Sequence, residues 1–345
     1  MTHRIAVIAG DGAGPEVVAE ARKALDALGL DLAWKELPWG TGHYHEHGTM
    51  MPADALEVAR AHDAILLGAV GHPSVPDHVT LWGLLLPLRQ GLDLYANLRP
   101  ARLLDGVPSP LAGRPAVDML FVRENTEGEY AGVGGRAHQG LELEVGIETS
   151  VFTRTGVRRV VEHAFRLAEG RRGVLTSATK SNASRYGYVL WDEVVEEVAA
   201  AHPGVRVERV LVDALAARMV SHPQSLDVVV ASNLFGDILT DLAAVLQGGM
   251  GMAASASVAP GSDVPGIFEP VHGSAPDIAG QGIANPLGAI WSATLLLEHL
   301  GETEAAARLL AAVESVCRDG IVTRDLGGSA STSEVGDAVT ERARG

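Results

Sequence analysis

Short apolar runs that end in glycine or a polar residue, each followed by an amphipathic stretch, constrain this chain more than any other feature. Residues 4–9 read as a buried strand, 10–14 as a glycine-rich turn, and 15–28 as a helix that begins at Pro15 and stops at Gly29. Residues 31–37 form a second strand, 54–61 a helix, and 64–68 a strand running into a glycine loop. Strands separated by helices run parallel and are covered by those helices, so the pattern predicts an α/β fold with a largely parallel sheet. Ligands of open α/β sheets collect at the carboxyl ends of the strands. Polar residues at those ends are therefore the first candidates for function.

The middle of the chain has a different texture. A strand over 116–122 enters Arg123-Glu-Asn-Thr-Glu-Gly-Glu-Tyr130, and a glycine-rich stretch at 132–140 precedes an alternating segment at 141–150 that suits a hairpin or arm. Helices are predicted over 156–169 and 188–201, and strands over 173–177, 206–212 and 226–231. The tail is helical. Asn285-Pro286 opens a helix to residue 299, another covers 303–318, and Ser331-Thr-Ser-Glu334 is a capping box for the last. A length of 345 residues allows two domains or one large one.

Composition excludes several classes. Lys plus Arg is 27 against 43 Asp plus Glu, a net charge of −16, which repels a phosphate backbone and argues against nucleic-acid partners. No apolar run approaches the ~18 residues of a membrane span. The first residues run straight into a strand, so no signal peptide is expected, and the cytoplasm is the expected compartment. The single cysteine, Cys317, rules out an intramolecular disulfide and a cysteine-based zinc site.

Six groups of residues invite a chemical role. Gly10-x-Gly12-x-Gly14 looks like a dinucleotide fingerprint, but its third glycine comes one position early and no acid ends the second strand, so a plain tight turn is favoured. Asp237 and Asp241 are four apart and share one helix face; they suit a hard divalent cation or simply the helix dipole, and Asp213 could add a third carboxylate. Arg89, Arg99 and Arg123 are spaced as a set for a small polyanion, arginine being the residue for bidentate carboxylate binding. Lys180 stands just past a buried strand, where desolvation or crowding by charge would let it act as an acid or base. A long Gly/Pro-rich loop over 268–286 leads into a capped helix, and one acid in it could take a ribose diol. His43, His45 and His47 are spaced by two, which fits an exposed strand edge or loop better than a zinc site.

As a set, Gly10-Asp-Gly-Ala-Gly-Pro-Glu16, Asn97-Leu-Arg-Pro100, Val122-Arg-Glu124, Asn233-Leu-Phe-Gly-Asp237 and the 268–286 loop resemble the metal-dependent β-decarboxylating dehydrogenases. That family includes isopropylmalate, isocitrate, homoisocitrate and D-malate or tartrate dehydrogenases. The resemblance covers nearly the whole chain. It is closest to the D-malate/tartrate group through His47-Gly-Thr-Met-Met-Pro52, Val75-Pro-Asp-His78, Leu81-Trp-Gly83, Ser150-Val-Phe-Thr-Arg154 and Thr176-Ser-Ala-Thr-Lys-Ser-Asn182.

The resemblance implies an isopropylmalate dehydrogenase-like two-domain α/β/α sandwich with a mixed, largely parallel sheet, not a Rossmann fold. Residues 1–99 plus 250–345 would form the cofactor-side domain. Residues 100–249 would form the metal, substrate and dimerisation domain, with an arm near 132–150. Arg89, Arg99 and Arg123 would clamp a dicarboxylate, Tyr130 and Lys180 would be the acid–base pair, and Asp213, Asp237 and Asp241 would hold Mg²⁺ or Mn²⁺. Lys180 and Asp213 would come from the neighbouring subunit of a homodimer. His272, Gly273, Ser274, Ala275, Asp277, Ile278 and Asn285 would take the cofactor, with Asp277-Ile278 implying NAD. The implied reaction is oxidative decarboxylation of a D-malate-type 2-hydroxy acid, or alternatively of 3-isopropylmalate or another C3-substituted malate. Trp82, Leu85 and Leu86 would face the C3 substituent. Gly83 and Leu85 stand where isocitrate enzymes carry serine and asparagine for a third carboxylate, Trp82 fits the malate/tartrate pattern, and Leu84 replaces an expected small polar residue. A non-catalytic regulatory subunit of the family would lack the lysine or a metal aspartate, and both are present.

Overall fold

A computed structural model describes residues 2–345. One sheet is built from β1 (His3–Gly10), β2 (Leu32–Glu36), β3 (Ala64–Ala69), β4 (Ala96–Arg102), β5 (Asp118–Glu124), β8 (Val174–Thr179), β9 (Arg206–Leu211), β10 (Val228–Ala231), β11 (Ala254–Val258) and β12 (Gly266–Pro270). A separate arm pairs β6 (Gly128–Ala137) with β7 (Val145–Val151). The ten strands lie in the order β2-β1-β3-β12-β11-β4-β5-β10-β8-β9. Pairing is parallel towards both edges and antiparallel where β11 meets β12 and where β4 meets β11 and β5. The architecture is thus the expected mixed, largely parallel α/β sheet.

The helices are α1 (Gly14–Asp26), α2 (Thr41–His47), α3 (Ala55–Arg60), α4 (Asp77–Thr80), α5 (Leu86–Gly91), α6 (Arg154–Glu169), α7 (Gly187–Ala199), α8 (Val212–Ser221), α9 (Asn233–Leu246), α10 (Leu287–His299), α11 (Thr303–Arg318) and α12 (Thr332–Ala343). Between α4 and α5 the chain makes a wide π-type turn at Leu81–Leu85. The most buried strands, β3, β10, β11 and β12, show no polar alternation because helices cover both faces. α10 is buried nearly all round, between α1, α11 and the sheet at β11 and β12. The arm is the opposite case: Leu143 is 76% and Ile147 57% exposed.

Several local expectations are corrected. The histidine segment is a helix, α2, not a strand edge or loop. Asp11 accepts from Thr41 N at 3.1 Å and Thr41 Oγ1 at 2.8 Å to start it, and Gly48, at φ 75°, ends it. A helix brings residues four apart together, so the His43 and His47 rings lie 4.5 Å apart. Asp213 lies in the first turn of α8 instead of ending a strand. The span from Phe268 to Pro270 belongs to β12, so the cofactor-side loop begins at Val271. Among the described residues no helix is long and apolar enough to cross a membrane.

His163 on α6 contributes a pH dependence to the fold. Its Nε2 is buried without a partner. Burial, then the Arg166 charge, lowers it from the ordinary 6.5 to about 4. The unfolded chain therefore binds this proton at a higher pH than the folded one. The stability it protects is complete above pH 6.5 and is lost as pH falls through about 4. His163→Leu should make chemical-denaturation stability less steep by one proton between those limits; an unchanged slope would refute the assignment.

Candidate active site

β4 and β5 run antiparallel, with Asn97 opposite Arg123, so their polar residues converge at mid-sheet. There Arg89 from α5, Arg99 from β4, Arg123 from β5, Tyr130 from β6 and Asp237 from α9 line one cavity of about 200 Å³. Leu81, Leu85 and Leu86 form an apolar wall. Three guanidiniums face two carboxylates, Asp237 and Glu269, among its lining residues.

Like charges this close stay together only because each is separately held. Arg89 Nη2 donates to Glu269 Oε1 at 2.6 Å, with both side chains 8% exposed. Arg99 donates through Nε to Asn97 Oδ1 at 2.7 Å and through Nη1 to Thr240 Oγ1 at 2.6 Å. Asn97 is fully buried and donates onward to Ser255 and Ser257 on β11. Arg123 donates through Nε and Nη2 to Asn233 Oδ1 at 3.0 and 2.7 Å, and through Nη1 to Asp237 Oδ1. Gly236 makes room for it, since a Cβ there would sit 2.6 Å from Arg123 Cγ. Burial, then the Arg99 charge, pulls Arg123 well below the usual arginine range, and burial lowers Arg99 too. A bound dianion would relieve both.

Ser232 caps α9 and sets the direction of its first two turns. Asp237 and Asp241 stand one turn apart on that helix, as their spacing predicts. Burial works to raise Asp237, but Arg123, Arg99 and Arg89 overcome it and hold the carboxylate below its usual range. Burial and then Asp237 push Asp241 up. Tyr130 Oη donates to Asp237 Oδ2 at 3.3 Å, and burial followed by the Asp237 charge raises the phenol, keeping its proton on. A pair of crowded carboxylates suits a hard divalent cation, which takes oxygen ligands and removes the repulsion. Among the described residues no three His, Cys, Asp or Glu side chains gather to hold a metal. The pair therefore fits a cation as a partial ligand set.

Lys180 and Asp213 do not join this cavity within the chain. Lys180 Nζ donates to Asp213 Oδ1 at 2.6 Å, chiefly through which Asp213 is held below its usual range. Neither residue lines the cavity. Trp82 does not line it either, contrary to expectation. It is 44% exposed, and a Cβ on Gly132 of the arm would sit 2.5 Å from its ring. The π-type turn rotates Trp82 outward and sends Leu84 into the core at 0% exposure, while Leu81, Leu85 and Leu86 face the cavity.

A second cavity, about 420 Å³, adjoins the first and shares His272 and Gly273 with it. Ala275, Ile278 and Asn285 line it, together with Ala13, Gly251, Ile283, Ala284, Arg324 and Asp325. Ser274 and Asp277 lie outside the lining. The His272 Nδ1 atom is 2.9 Å from Gly273 O, and Nε2 is buried with no partner. Burial keeps the ring neutral. An orphaned polar atom in a largely apolar hollow fits a flat, polar-edged ligand such as a dinucleotide. Asn285 accepts from Leu287 N at 3.0 Å and donates to Asp325 at 2.9 Å, tying the loop to the start of α10.

Glu269, Asn97, Asn233, Thr240 and Leu81 went unassigned from sequence. Asn97 and Asn233 sit inside the motifs Asn97-Leu-Arg-Pro100 and Asn233-Leu-Phe-Gly-Asp237, the one signal available for them. Arg324 and Asp325 follow no pattern that spacing would reveal.

The isocitrate/isopropylmalate dehydrogenase family model matches residues 4–339. A probable tartrate dehydrogenase/decarboxylase of Agrobacterium vitis is 51% identical over 98% of this chain and 96% of its own length. The decarboxylating D-malate dehydrogenase of Escherichia coli strain K12 is 48% identical, covering 98% of each. A 3-isopropylmalate dehydrogenase of Nocardia farcinica is 49% identical over 97% of this chain and 98% of its own. Among solved structures, isocitrate dehydrogenase from Methylococcus capsulatus superposes with a TM-score of 0.92 at 37% identity over both whole chains.

Proposed function

The chain belongs to the isocitrate/isopropylmalate dehydrogenase family, and from that premise we propose that it catalyses NAD-dependent, Mg²⁺- or Mn²⁺-dependent oxidative decarboxylation of D-malate or a close analogue. The observation that carries this is the cavity itself: three buried, separately braced guanidiniums around a space of about 200 Å³, lined also by Tyr130 and Asp237, with Asp241 one helical turn beyond the lining. That volume is below the ~300–1,000 Å³ of drug-sized pockets and suits a small diacid.

In the proposed mechanism Arg89, Arg99 and Arg123 bind the two carboxylates and fix which face of C2 is presented. Asp237 and Asp241 would hold the cation, with Asp213 added from a partner subunit. When bound, the cation would polarise the oxygen on C2 as a Lewis acid, and the nicotinamide would accept hydride from C2. Lys180 of a partner subunit would take the C2 hydroxyl proton. The C3 carboxylate would then leave as CO₂, its bonding electrons passing to the ketone formed at C2. Tyr130, held protonated, would deliver its proton to C3. The arginines meet charge that develops along the path, where braced donors need no rearrangement. Residues 1–99 plus 250–345 would form the cofactor-side domain and 100–249 the metal, substrate and dimer-side domain. The exposed Leu143 and Ile147 of the arm support a homodimer.

Leu84 is turned into the core, so its replacement of a small polar residue does not bear on the substrate. The apolar wall of Leu81, Leu85 and Leu86 favours a second reading, 3-isopropylmalate, and an apolar wall separates such substituents by only ~1–3 kcal/mol per methylene. NADH formation with Mn²⁺ on D-malate, L- and meso-tartrate, 3-isopropylmalate and isocitrate decides. D-malate or a tartrate should give the highest kcat/KM and isocitrate none. A preference above about tenfold for 3-isopropylmalate would replace the first reading by the second.

A further inference from the structure

The turn after β1 lends only Ala13 to the lining of the second cavity and no reacting group, yet it is shaped for close approach. Gly12 sits at φ +60°, and a Cβ there would lie 2.0 Å from Ser274 O. Ala13 N donates to that same oxygen at 2.7 Å. One turn further on, the Glu16 carboxylate reaches over the far end of the same loop. Its Oε2 accepts from Gly282 N at 3.1 Å and its Oε1 from Gly280 N. Both glycines are at positive φ, +73° and +65° for Gly280 and Gly282.

Between these anchors the loop has little else to hold it. Pro276, Asp277, Gly280 and Gln281 are exposed. Gln281 Nε2 bonds to Asp277 O at 2.7 Å, within the loop, and Thr332 N donates to Gly282 O at 2.9 Å. A glycine-rich loop with few buried contacts keeps one shape only if something outside it fixes the backbone. A carboxylate taking two backbone N–H groups makes charge-assisted bonds, stronger than neutral ones.

We propose that Glu16 is a positioning residue for cofactor binding, holding the 272–285 loop through the Gly280 and Gly282 amides in the shape that receives the dinucleotide. This rests on the assignment of that loop to NAD. The glycines of the Gly10–Gly14 turn then have a purpose different from a dinucleotide fingerprint. Gly12 lets a loop carbonyl, not a phosphate, approach the turn, while Gly10 and Gly14 make room for the backbone at Ala69. Glu16 acts before the ligand arrives, so its loss lowers the fraction of protein with a competent loop and raises the apparent Kd by that factor.

Glu16→Ala should raise both the Kd for NAD⁺, measured by titration calorimetry, and its KM by about tenfold or more. Substrate KM, and kcat at saturating NAD⁺, should stay within about twofold of wild type. Without NAD⁺, the Gly280 and Gly282 amides should lose hydrogen-exchange protection while α1 and β1 keep theirs. Glu16→Gln retains one acceptor oxygen and should recover part of the affinity. Gly12→Ala, which pushes on the loop's other anchor, should weaken NAD⁺ in the same selective way. Wild-type affinity with protected loop amides in Glu16→Ala would overturn the role of Glu16. So would a general loss of stability and kcat with no selective effect on NAD⁺. Wild-type protein that binds no NAD⁺ would instead overturn the cofactor assignment, and with it any role of Glu16 in cofactor binding.

Discussion

Lys180→Ala should lower kcat by about 10²–10⁴-fold, the range for loss of a general acid–base group, and leave NAD⁺ affinity and melting temperature nearly unchanged. Lys180 follows β8 and its side chain is only partly buried, paired with the exposed Asp213, so the fold depends little on it. Within its own chain it is absent from the cavity lining that holds Tyr130 and Asp237. On the proposed mechanism it would act in a partner's cavity, and subunit exchange tests that directly. Asp237→Asn alone should also be inactive. Mixed and re-equilibrated, the two inactive proteins should form heterodimers in which one site has an intact Asp237 from one chain and an intact Lys180 from the other. Random assortment makes half the dimers mixed, each with one working site, so about a quarter of the wild-type rate should return. Failure to recover activity, with heterodimers shown to form, would place Lys180 outside the shared site.

What was legible in the sequence follows from which signals are local. Arg123, Asp237 and Asp241 were found because a strand end and a helix repeat fix their neighbours within a few residues. β11 and β12 leave no trace in the pattern because both are short and buried on both faces, with no alternation to read. α2 is not legible because its seven residues offer Tyr44 alone to the core and carry no apolar stripe; its ends are set by Gly40, Gly48 and a carboxylate 30 residues away. The motif alone points Trp82 at the substrate, because it says nothing of the π-type turn that rotates the side chain outward. The braces of the arginines were the least readable. Glu269 reaches Arg89 across 180 residues and Thr240 reaches Arg99 across 141, and no spacing rule connects them.

Arg123→Met should lower kcat/KM by roughly 10²–10³-fold, as expected for truncating a buried, hydrogen-bonded charge, and should lower the melting temperature as well. A guanidinium has five N–H donors. Arg123 engages Asn233 Oδ1 through Nε and Nη2 and Asp237 Oδ1 through Nη1. Two N–H remain, on a side chain 2% exposed that lines the cavity, which is the number a carboxylate takes. Methionine fills the space of the stem against Gly236 but leaves Asn233 Oδ1 without its donor and the cavity with one cation fewer. Asp237 keeps Arg99 Nη2 at 3.3 Å and Tyr130 Oη at 3.3 Å, so the helix that carries it should remain in place. Arg123→Lys should lose nearly as much activity with less stability, since a point charge cannot hold Asn233, Asp237 and substrate together. Gly236→Ala should fall between wild type and Arg123→Met, because its Cβ displaces the arginine without removing it. A loss smaller than about tenfold in Arg123→Met, with the fold intact by melting, would mean that Arg89 and Arg99 suffice and that Arg123 serves α9 alone.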